Sequence, residues 1–211
     1  INTVKPLIER IRKLYAHGIA VTAGFILGFD SEPEGVDRSL IPFIQESGIS
    51  MAMVGLLFAM PNTQLTRRLK AEGRLISHSE GWIPDYTERY QVKVVDGVDH
   101  TGTGLNFVTM RDRVEIYREL QKIIVSIYQP KAFMERVLDT TGQLKFRTLH
   151  RPGLWESRRM LRGFFNVAYS LLRNRTTRWL YLRNAWKTWW MGVDHFEYAH
   201  TTMGGYLHFK K

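Results

Sequence analysis

Two runs of eleven mostly apolar residues, Ile19–Phe29 and Met51–Pro61, constrain the fold of this chain most strongly. A helix that crosses a membrane needs roughly 20 apolar residues, so neither run is long enough to span a bilayer. Nearly continuous apolar character over a short segment is typical of a strand that is buried on both faces of a parallel sheet. The sequence therefore predicts two parallel strands, the second at residues 49–59.

Helical patterns separate the two predicted strands. Apolar residues at helical spacing predict a helix over residues 3–16. Ser31 and Glu34 form a capping-box pattern, which predicts a helix that runs to Ser47 and ends at Gly48. Thr63 is a candidate N-cap for a third helix that closes at Gly73. Helices that alternate with buried strands predict an α/β parallel sheet.

Two parallel strands cannot bury their own faces, so we expect them to be the end of a larger barrel or sheet. The first residue is Ile1 rather than Met, which also leads us to expect a longer polypeptide. The predicted fold class is α/β followed by a mainly α region. We divide it into residues 1–73, residues 74–142 with an irregular excursion and helices, and a helical tail at residues 143–211.

The irregular excursion covers residues 74–108 and is rich in Gly, Pro, Asp and His. A connection of that length is usually functional or poorly ordered. Four carboxylates in it could meet a substrate, although solvated loop carboxylates are the simpler interpretation: Asp85, Glu88, Asp96 and Asp99. Helices are predicted at residues 111–128, 133–138, 154–174 and 176–191, with a last helix that ends before Gly204.

The sequence gives little support for a metal site or a catalytic nucleophile. The chain has no cysteine, which excludes disulfides, thiolate zinc sites and a cysteine-held iron–sulfur cluster within it. His195 and His200 are five residues apart and fall on different helical faces, so they lack the spacing of a paired metal site. We predict no catalytic residue and no metal ligand in this chain.

The charge is concentrated in the tail. The chain carries a net charge of +10, and residues 143–193 hold nine Arg and two Lys against one acid, Glu156. Five of the six Trp also lie in this tail. Aromatic residues with basic flanks fit a helix that lies on anionic lipid, or a surface for nucleic acid. The alternative is a helical pair that packs its Trp face on the core and leaves the basic face in water.

The first predicted strand contains two glycines near its carboxyl end. Gly24 and Gly28 flank Ile26 near the carboxyl end of the strand, where ligands of parallel sheets bind. The exit of the second strand, Ala59–Asn62, should reach the same rim. The glycines either admit a flat ligand or let a helix pack closely. The spacing does not match a phosphate-binding glycine loop.

These segments resemble the last two strands of a radical S-adenosylmethionine (SAM) barrel. The resemblance rests on Gly24-x-Ile26-x-Gly28, the Asp30–Pro33 turn, GISMAMVGLLFAMPNTQL and KAEGRL. The later segment Gly104-x-Asn106-Phe107-x-x-Met110 is similar to the uncharacterised C-terminal domain that follows the barrel in the cobalamin-binding class. The chain departs from that pattern at Asn62, where a glycine is frequent, and at Val108-Thr109.

The resemblance implies a TIM-like barrel whose last two βα units lie in this chain. It implies that one wall of a SAM adenine site comes from seven residues: Gly24, Ile26, Gly28, Ala59, Met60, Pro61 and Asn62. It also implies a [4Fe–4S] cluster, held by a C-x-x-x-C-x-x-C loop outside this chain. The intact enzyme would use a 5′-deoxyadenosyl radical to abstract hydrogen from an unactivated carbon, and methylcobalamin would supply a methyl group.

On this interpretation the protein is a methyltransferase of a small molecule or a lipid. The expected localisation is cytoplasmic, peripheral to the inner face of a membrane. Nucleic acid is the less favoured partner. The alternative from another class is a non-catalytic basic helical module that binds an anionic membrane surface or nucleic acid.

Overall fold

The computed structural model describes residues 4–76, 104–146 and 154–209. In this part of the chain it contains eight helices and two parallel strands. The predicted excursion therefore lies mostly outside the described residues, and so do its four candidate carboxylates. In chain order the elements are α1 Val4–Ala16, β1 Thr22–Leu27, α2 Val36–Ser47, β2 Met51–Leu56, α3 Gln64–Ala71, α4 Arg113–Ile127, α5 Pro130–Gln143, α6 Leu154–Arg173, α7 Arg175–Met191 and α8 Val193–Phe209.

Most predicted elements are confirmed, and three predictions of their limits are wrong. The capping box at Ser31 and Glu34 does not open a helix, because α2 begins only at Val36. The helix predicted at 133–138 is longer, because Pro130 stands at its N-terminus, where a missing N–H costs no hydrogen bond. The last helix runs through Gly204 and Gly205, which pack against Val167 and Met51 respectively.

The chain divides into two compact units that interleave in sequence. Unit 1 contains residues 1–23, 38–53 and 123–210. Unit 2 contains residues 24–37 and 54–122, of which the structure describes 24–37, 54–76 and 104–122. The division into residues 1–73, 74–142 and 143–211 stays a prediction about sequence segments.

Unit 1 is a helical assembly. Helices α5, α7 and α8 pack on one another, α6 packs on α7 and α8, and α1 packs on α5. Arg136 lies in its core and is only 2% exposed. Its guanidinium donates to Gln45 Oε1 at 2.9 Å and lies 5.6 Å from the centre of the Phe133 ring. Burial lowers the pKa of Arg136 to about 10, so the group still carries its charge at neutral pH.

Unit 2 contains the carboxyl halves of both strands and the segments that follow them. The Leu57 N–H donates to the Leu27 carbonyl at 2.8 Å, which continues the parallel ladder past the end of β2. A short antiparallel bridge joins Leu75 to Phe107. The core of unit 2 is formed by buried apolar side chains: Leu27, Leu56, Leu69, Leu105, Phe107 and Ile116.

None of the described helices is both long enough and apolar enough to cross a membrane.

Candidate functional site

One face of the sheet is open at the predicted site. Residues of β1 alternate between exposed and covered positions, and Ile26 is 54% exposed. A Cβ built on Gly24 or on Gly55 would meet no atom within 4 Å. The ladder bond from Leu57 to Leu27 sets the register that places Ile26 beside Gly55 on this face. Gly24, Ile26 and Gly55 therefore form a flat apolar strip, which we call the glycine strip.

Gly28 is in a different environment from Gly24. Its φ of +102° belongs to a region that favours glycine, and a Cβ there would lie 2.6 Å from Leu105 Cδ2. The Gly28 N–H donates to Glu32 Oε2 at 2.9 Å. The close approach at this glycine is thus made by a side chain of the protein, Leu105.

Leu105 itself has an unusual backbone. Its φ of 60° lies in the left-handed region, which is uncommon for a bulky residue, and its side chain is fully buried. The Leu105 N–H donates to the Leu57 carbonyl at 2.8 Å. The hydrogen bond and the burial together hold a conformation that would otherwise be unfavourable.

The exit of β2 is fastened by Asn106. The side-chain amide of Asn106 accepts from the Ala59 N–H at 2.8 Å and donates to the Ala59 carbonyl at 3.1 Å. Both backbone groups of Ala59 are therefore occupied by the protein itself. Ala59 is buried, and its contribution to any ligand site would be shape rather than backbone hydrogen bonds.

The other three residues of the exit form a tight turn on the surface. Met60 is exposed, and its carbonyl accepts from Thr63 Oγ1 at 2.9 Å. Thr63 caps α3 by accepting from the Thr66 N–H at 3.2 Å, as the sequence predicts. Asn62 has a φ of 66°, a conformation that Asn tolerates better than most residues. The backbone thus explains why a glycine would serve equally well at this position.

The acidic turn after β1 binds arginines. Asp30 is paired with both terminal nitrogens of Arg74, at 2.6 Å and 3.0 Å, and with Arg68 at 2.7 Å. Arg74 Nε donates to the Val108 carbonyl at 2.8 Å. The hydrogen bonds from Arg74, and the charges of Arg74 and Arg68, hold the pKa of the Asp30 carboxyl below its usual value.

A second ion cluster lies at the other end of the turn. Arg111 is paired with Glu32 at 3.0 Å and with Glu119 at 2.7 Å, and the three side chains are only 8–12% exposed. Glu119 also accepts from the Gly35 N–H at 2.8 Å. Burial by itself would lower the pKa of Arg111, but its bonds to Glu119 and the charges of both carboxylates outweigh this and raise it.

These two clusters, which we call the Asp30 clamp and the Arg111 clamp, fix the loop between β1 and α2. The sequence interpretation missed their partners, because Arg74 and Arg111 lie 44 and 79 residues from their carboxylates. No local spacing connects residues that far apart. An acidic turn followed by a helix has a local explanation, the helix cap, and the structure replaces that explanation with tertiary ion pairs.

The described histidines do not form a metal centre. Among the described residues, no group of three or more His, Asp or Glu side chains could hold a metal ion. His200 is buried, stacks on Phe164 at 4.2 Å and lies 3.1 Å from the Tyr181 hydroxyl through Nδ1. Burial lowers the pKa of His200, which favours the neutral ring.

Comparison with known proteins assigns the family. A family model described as a domain of unknown function, DUF4070, matches residues 63–211. The chain therefore belongs to this family. No solved structure matches the chain significantly.

Two curated relatives carry names that refer to methyl transfer. The chain is 30% identical over 135 residues to an uncharacterized methyltransferase of Synechocystis sp., which covers 64% of this chain and 22% of that protein. It is 39% identical over 75 residues to the hopanoid C-2 methylase of Rhodopseudomonas palustris, which covers 36% of this chain and 14% of that protein. The chain thus spans less than a quarter of the length of either relative. The matches confirm the predicted resemblance to the C-terminal part of a cobalamin-binding-type radical SAM enzyme.

Proposed function

We propose that this chain is part of a radical SAM methylase and that its glycine strip contributes to the wall of the SAM adenine site. The observation that carries the proposal is the open strip of Gly24, Ile26 and Gly55 on the exposed face of the sheet. Both curated relatives are named for methyl transfer, which supports the reaction class.

The strip fits an adenine ring physically. A flat aromatic ring needs an apolar surface without projecting side chains, and the two glycines leave that space open. Ile26 would offer its branched side chain to the ring. Met60 is exposed at the β2 exit and is available to line the same site. Pro61 and Asn62 would shape the turn beside it.

Gly28 and Ala59 would act through the protein rather than through direct ligand contact. Gly28 admits Leu105, and Ala59 is fixed by Asn106. The two clamps hold the loop that leaves β1, so the rim stays in place when a ligand enters. Preorganisation of this kind reduces the conformational entropy that binding would otherwise cost.

SAM and a [4Fe–4S] cluster would together supply the radical chemistry, and cobalamin would carry the methyl group in the intact protein. The chain contains no cysteine, so the cluster would be held elsewhere. For the substrate we propose a lipid-like molecule with an unactivated carbon, since one relative is named for a hopanoid.

The test is SAM affinity, measured by calorimetry on the natural full-length protein after cluster reconstitution. Gly24→Val and Gly55→Val would each place a branched side chain in the open space, so we expect SAM binding to weaken by at least about tenfold, equivalent to roughly 1.4 kcal/mol. Thr22→Val is the matched control. It introduces the same valine at another exposed position of β1, but it adds no volume because threonine and valine have nearly the same size.

Unchanged SAM affinity in both glycine variants would refute the adenine wall. The reaction class has its own test, because radical SAM chemistry requires the C-x-x-x-C-x-x-C loop. If the natural full-length sequence has no such loop, the enzyme proposal fails whatever the glycine strip binds.

A further inference from the structure

Helix α7 buries polar side chains and exposes aromatic ones, which is the reverse of an ordinary surface helix. Its buried face carries polar or hydroxyl-bearing side chains: Thr177, Tyr181, Asn184 and Thr188. Its exposed face carries four tryptophans that are 58–75% exposed: Trp179, Trp186, Trp189 and Trp190. Large aromatic side chains that gather on one exposed face usually mark an interaction surface.

The buried polar face is satisfied by hydrogen bonds, so the orientation of α7 has a physical basis. Asn184 Nδ2 donates to the Met134 carbonyl at 2.6 Å. Thr177 Oγ1 donates to the Leu171 carbonyl at 2.7 Å, and the Tyr181 hydroxyl meets His200. A rotation of α7 that buried its tryptophans would break these bonds. The outward position of the tryptophans is therefore built into unit 1.

Basic residues border the aromatic face. Successive residues of a helix are about 100° apart around its axis. At that spacing Arg178 falls on one border of the Trp arc, and Arg183 and Lys187 fall on the other. Arg183 lies 3.8 Å from Glu135 and is partly neutralised, whereas Arg178 and Lys187 are exposed. Arg175 lies within the arc at its N-terminal end.

A basic concavity adjoins the same end of the helix. It is shallow and open, and it is lined by Ser170, Arg173, Asn174 and Arg175. The Ser170 hydroxyl donates to the Asn166 carbonyl and Asn174 Oδ1 caps α7, so the two arginines are the groups that would meet a phosphate oxygen. The adjacent helix α6 exposes further large apolar side chains: Leu161, Phe165 and Tyr169.

From this arrangement we infer that α7 docks on an anionic lipid surface, with its tryptophans in the headgroup layer and its basic borders against lipid phosphates. Trp prefers the boundary between headgroups and acyl chains, and Arg and Lys reach from there to the anionic surface. We call this face the Trp–Arg face. The inference does not depend on the proposed reaction, because docking needs neither SAM nor a cluster.

The experiment is co-sedimentation of the intact natural protein with vesicles of neutral phosphatidylcholine, with and without about 30% phosphatidylserine. We expect binding that requires the anionic lipid. Each basic residue near such a surface contributes about 1 kcal/mol, or about fivefold in affinity, so Arg175→Gln/Lys187→Gln should weaken binding by roughly 25-fold. The matched control is Arg10→Gln/Lys13→Gln, which removes two exposed charges from α1 instead.

Insertion of the tryptophans is measured by quenching of their fluorescence with brominated lipid. We expect quenching in the natural protein and clearly weaker quenching in Trp186→Gln/Trp190→Gln, which keeps Trp179 and Trp189, together with at least about tenfold weaker binding. Circular dichroism and the melting temperature should stay unchanged, because both side chains are exposed. These two measurements separate lost docking from lost folding.

Several results would overturn the inference. Equal binding to neutral and anionic vesicles would contradict it, and so would an equal loss in the α1 control. Absence of vesicle binding together with an oligomer that the Trp variants dissociate would assign the face to a second copy of the chain. Binding to single-stranded oligonucleotide in preference to vesicles would assign it to nucleic acid. If the intact protein does not bind vesicles and its tryptophans are already shielded from solvent, the Trp–Arg face packs against another part of that protein.

Discussion

At the scale of single residues, the two glycines of the β1 motif have different roles although the sequence presents them as a pair. Gly24 has open space above it, whereas Gly28 has a positive φ and the Leu105 side chain against its Cα. Of these two positions, only residue 28 requires a glycine, because of its backbone conformation and the close Leu105 side chain. No contact within the described residues requires glycine at residue 24, and this is the basis for the proposal that Gly24 contributes to a ligand wall.

This difference predicts opposite responses to the same substitution. Gly28→Ala should destabilise the protein by about 1–3 kcal/mol, because alanine is strained at this φ and its Cβ would displace Leu105. Gly24→Ala should change stability by less than about 0.5 kcal/mol. The measurement is the midpoint of urea unfolding for both variants. Equal effects would show that Leu105 does not set the requirement for glycine at residue 28.

Asp30 gives a prediction about pH. Its pKa is lowered by Arg74 in the folded protein, so the Asp30 clamp stabilises the protein fully above the unfolded carboxyl pKa of about 3.9. That stabilisation is lost as the pH falls through the lower folded pKa. Asp30→Asn should therefore reduce stability at neutral pH and make it less dependent on pH below about 4. Thermal unfolding from pH 3 to pH 7 measures both effects, and parallel curves for the variant and the natural protein would contradict them.

At the scale of elements, the loop between β1 and α2 is held by ion pairs to distant segments rather than by a helix cap. The Asp30 clamp joins it to Arg68 and Arg74 around the C-terminus of α3. The Arg111 clamp joins it to Glu119 on α4. Both clamps hold the loop that follows β1, so loss of either clamp should reduce the stability of unit 2. If the glycine strip binds SAM as proposed, the same change should also weaken SAM binding.

The Arg111 clamp should be the more sensitive one because it is more deeply buried. Arg111→Met would leave Glu32 and Glu119 unpaired in a nearly closed environment, and we expect a loss of about 3–5 kcal/mol. Arg118→Gln, an exposed change on the same helix, should cost less than about 0.5 kcal/mol. Chemical unfolding of the two variants side by side tests this, and similar losses would mean that the cluster contributes no special stability.

Helix α7 gives a second prediction at this scale, in which a polar residue matters more for stability than a tryptophan. Asn184→Ala would remove the donor to the Met134 carbonyl and should cost about 1–3 kcal/mol. Trp186→Ala, on the exposed face, should cost less than about 0.5 kcal/mol. Melting temperatures of the two variants decide the matter, and the reverse order would show that the helix is rotated from its described position.

At the scale of the whole molecule, charge is distributed in two regimes. Residues 143–193 carry the entire net charge of +10, and the rest of the chain is formally neutral. Concentrated charge on a region that also exposes tryptophans favours association with anionic surfaces. The same concentration makes that association sensitive to salt.

We therefore expect ionic strength to separate the two contributions to docking. Raising salt from about 0.1 M to about 1 M shortens the screening length from about 10 Å to about 3 Å, so the preference for anionic vesicles should disappear. Burial of tryptophan is not screened, and a weaker binding that depends on Trp186 and Trp190 should remain. Binding that is unchanged at high salt would show that the basic borders do not contribute.

The sequence predicted the elements well because its strand and helix patterns are local. The apolar runs around β1 and β2, the Thr63 cap and the paired helices α6 and α7 were all found from spacing. The limits of α2 and α8 were missed for tertiary reasons. Asp30 and Glu32, beside the apparent cap, form ion pairs with distant arginines, and α2 begins only at Val36. Close packing on Val167 and Met51 keeps Gly204 and Gly205 inside α8.

By itself the sequence determined the alternation of helices and strands, the family, the absence of cysteine ligands and the excess of basic residues and tryptophan in the tail. Only the tertiary structure decided which glycine is open and which is filled, which arginines hold the acidic turn, and which face of α7 meets water. These outcomes depend on contacts between residues far apart in the chain. In α7, satisfied hydrogen bonds on the polar face outweigh the apolar character of the tryptophans, so the face that hydrophobicity alone would bury is the one left exposed.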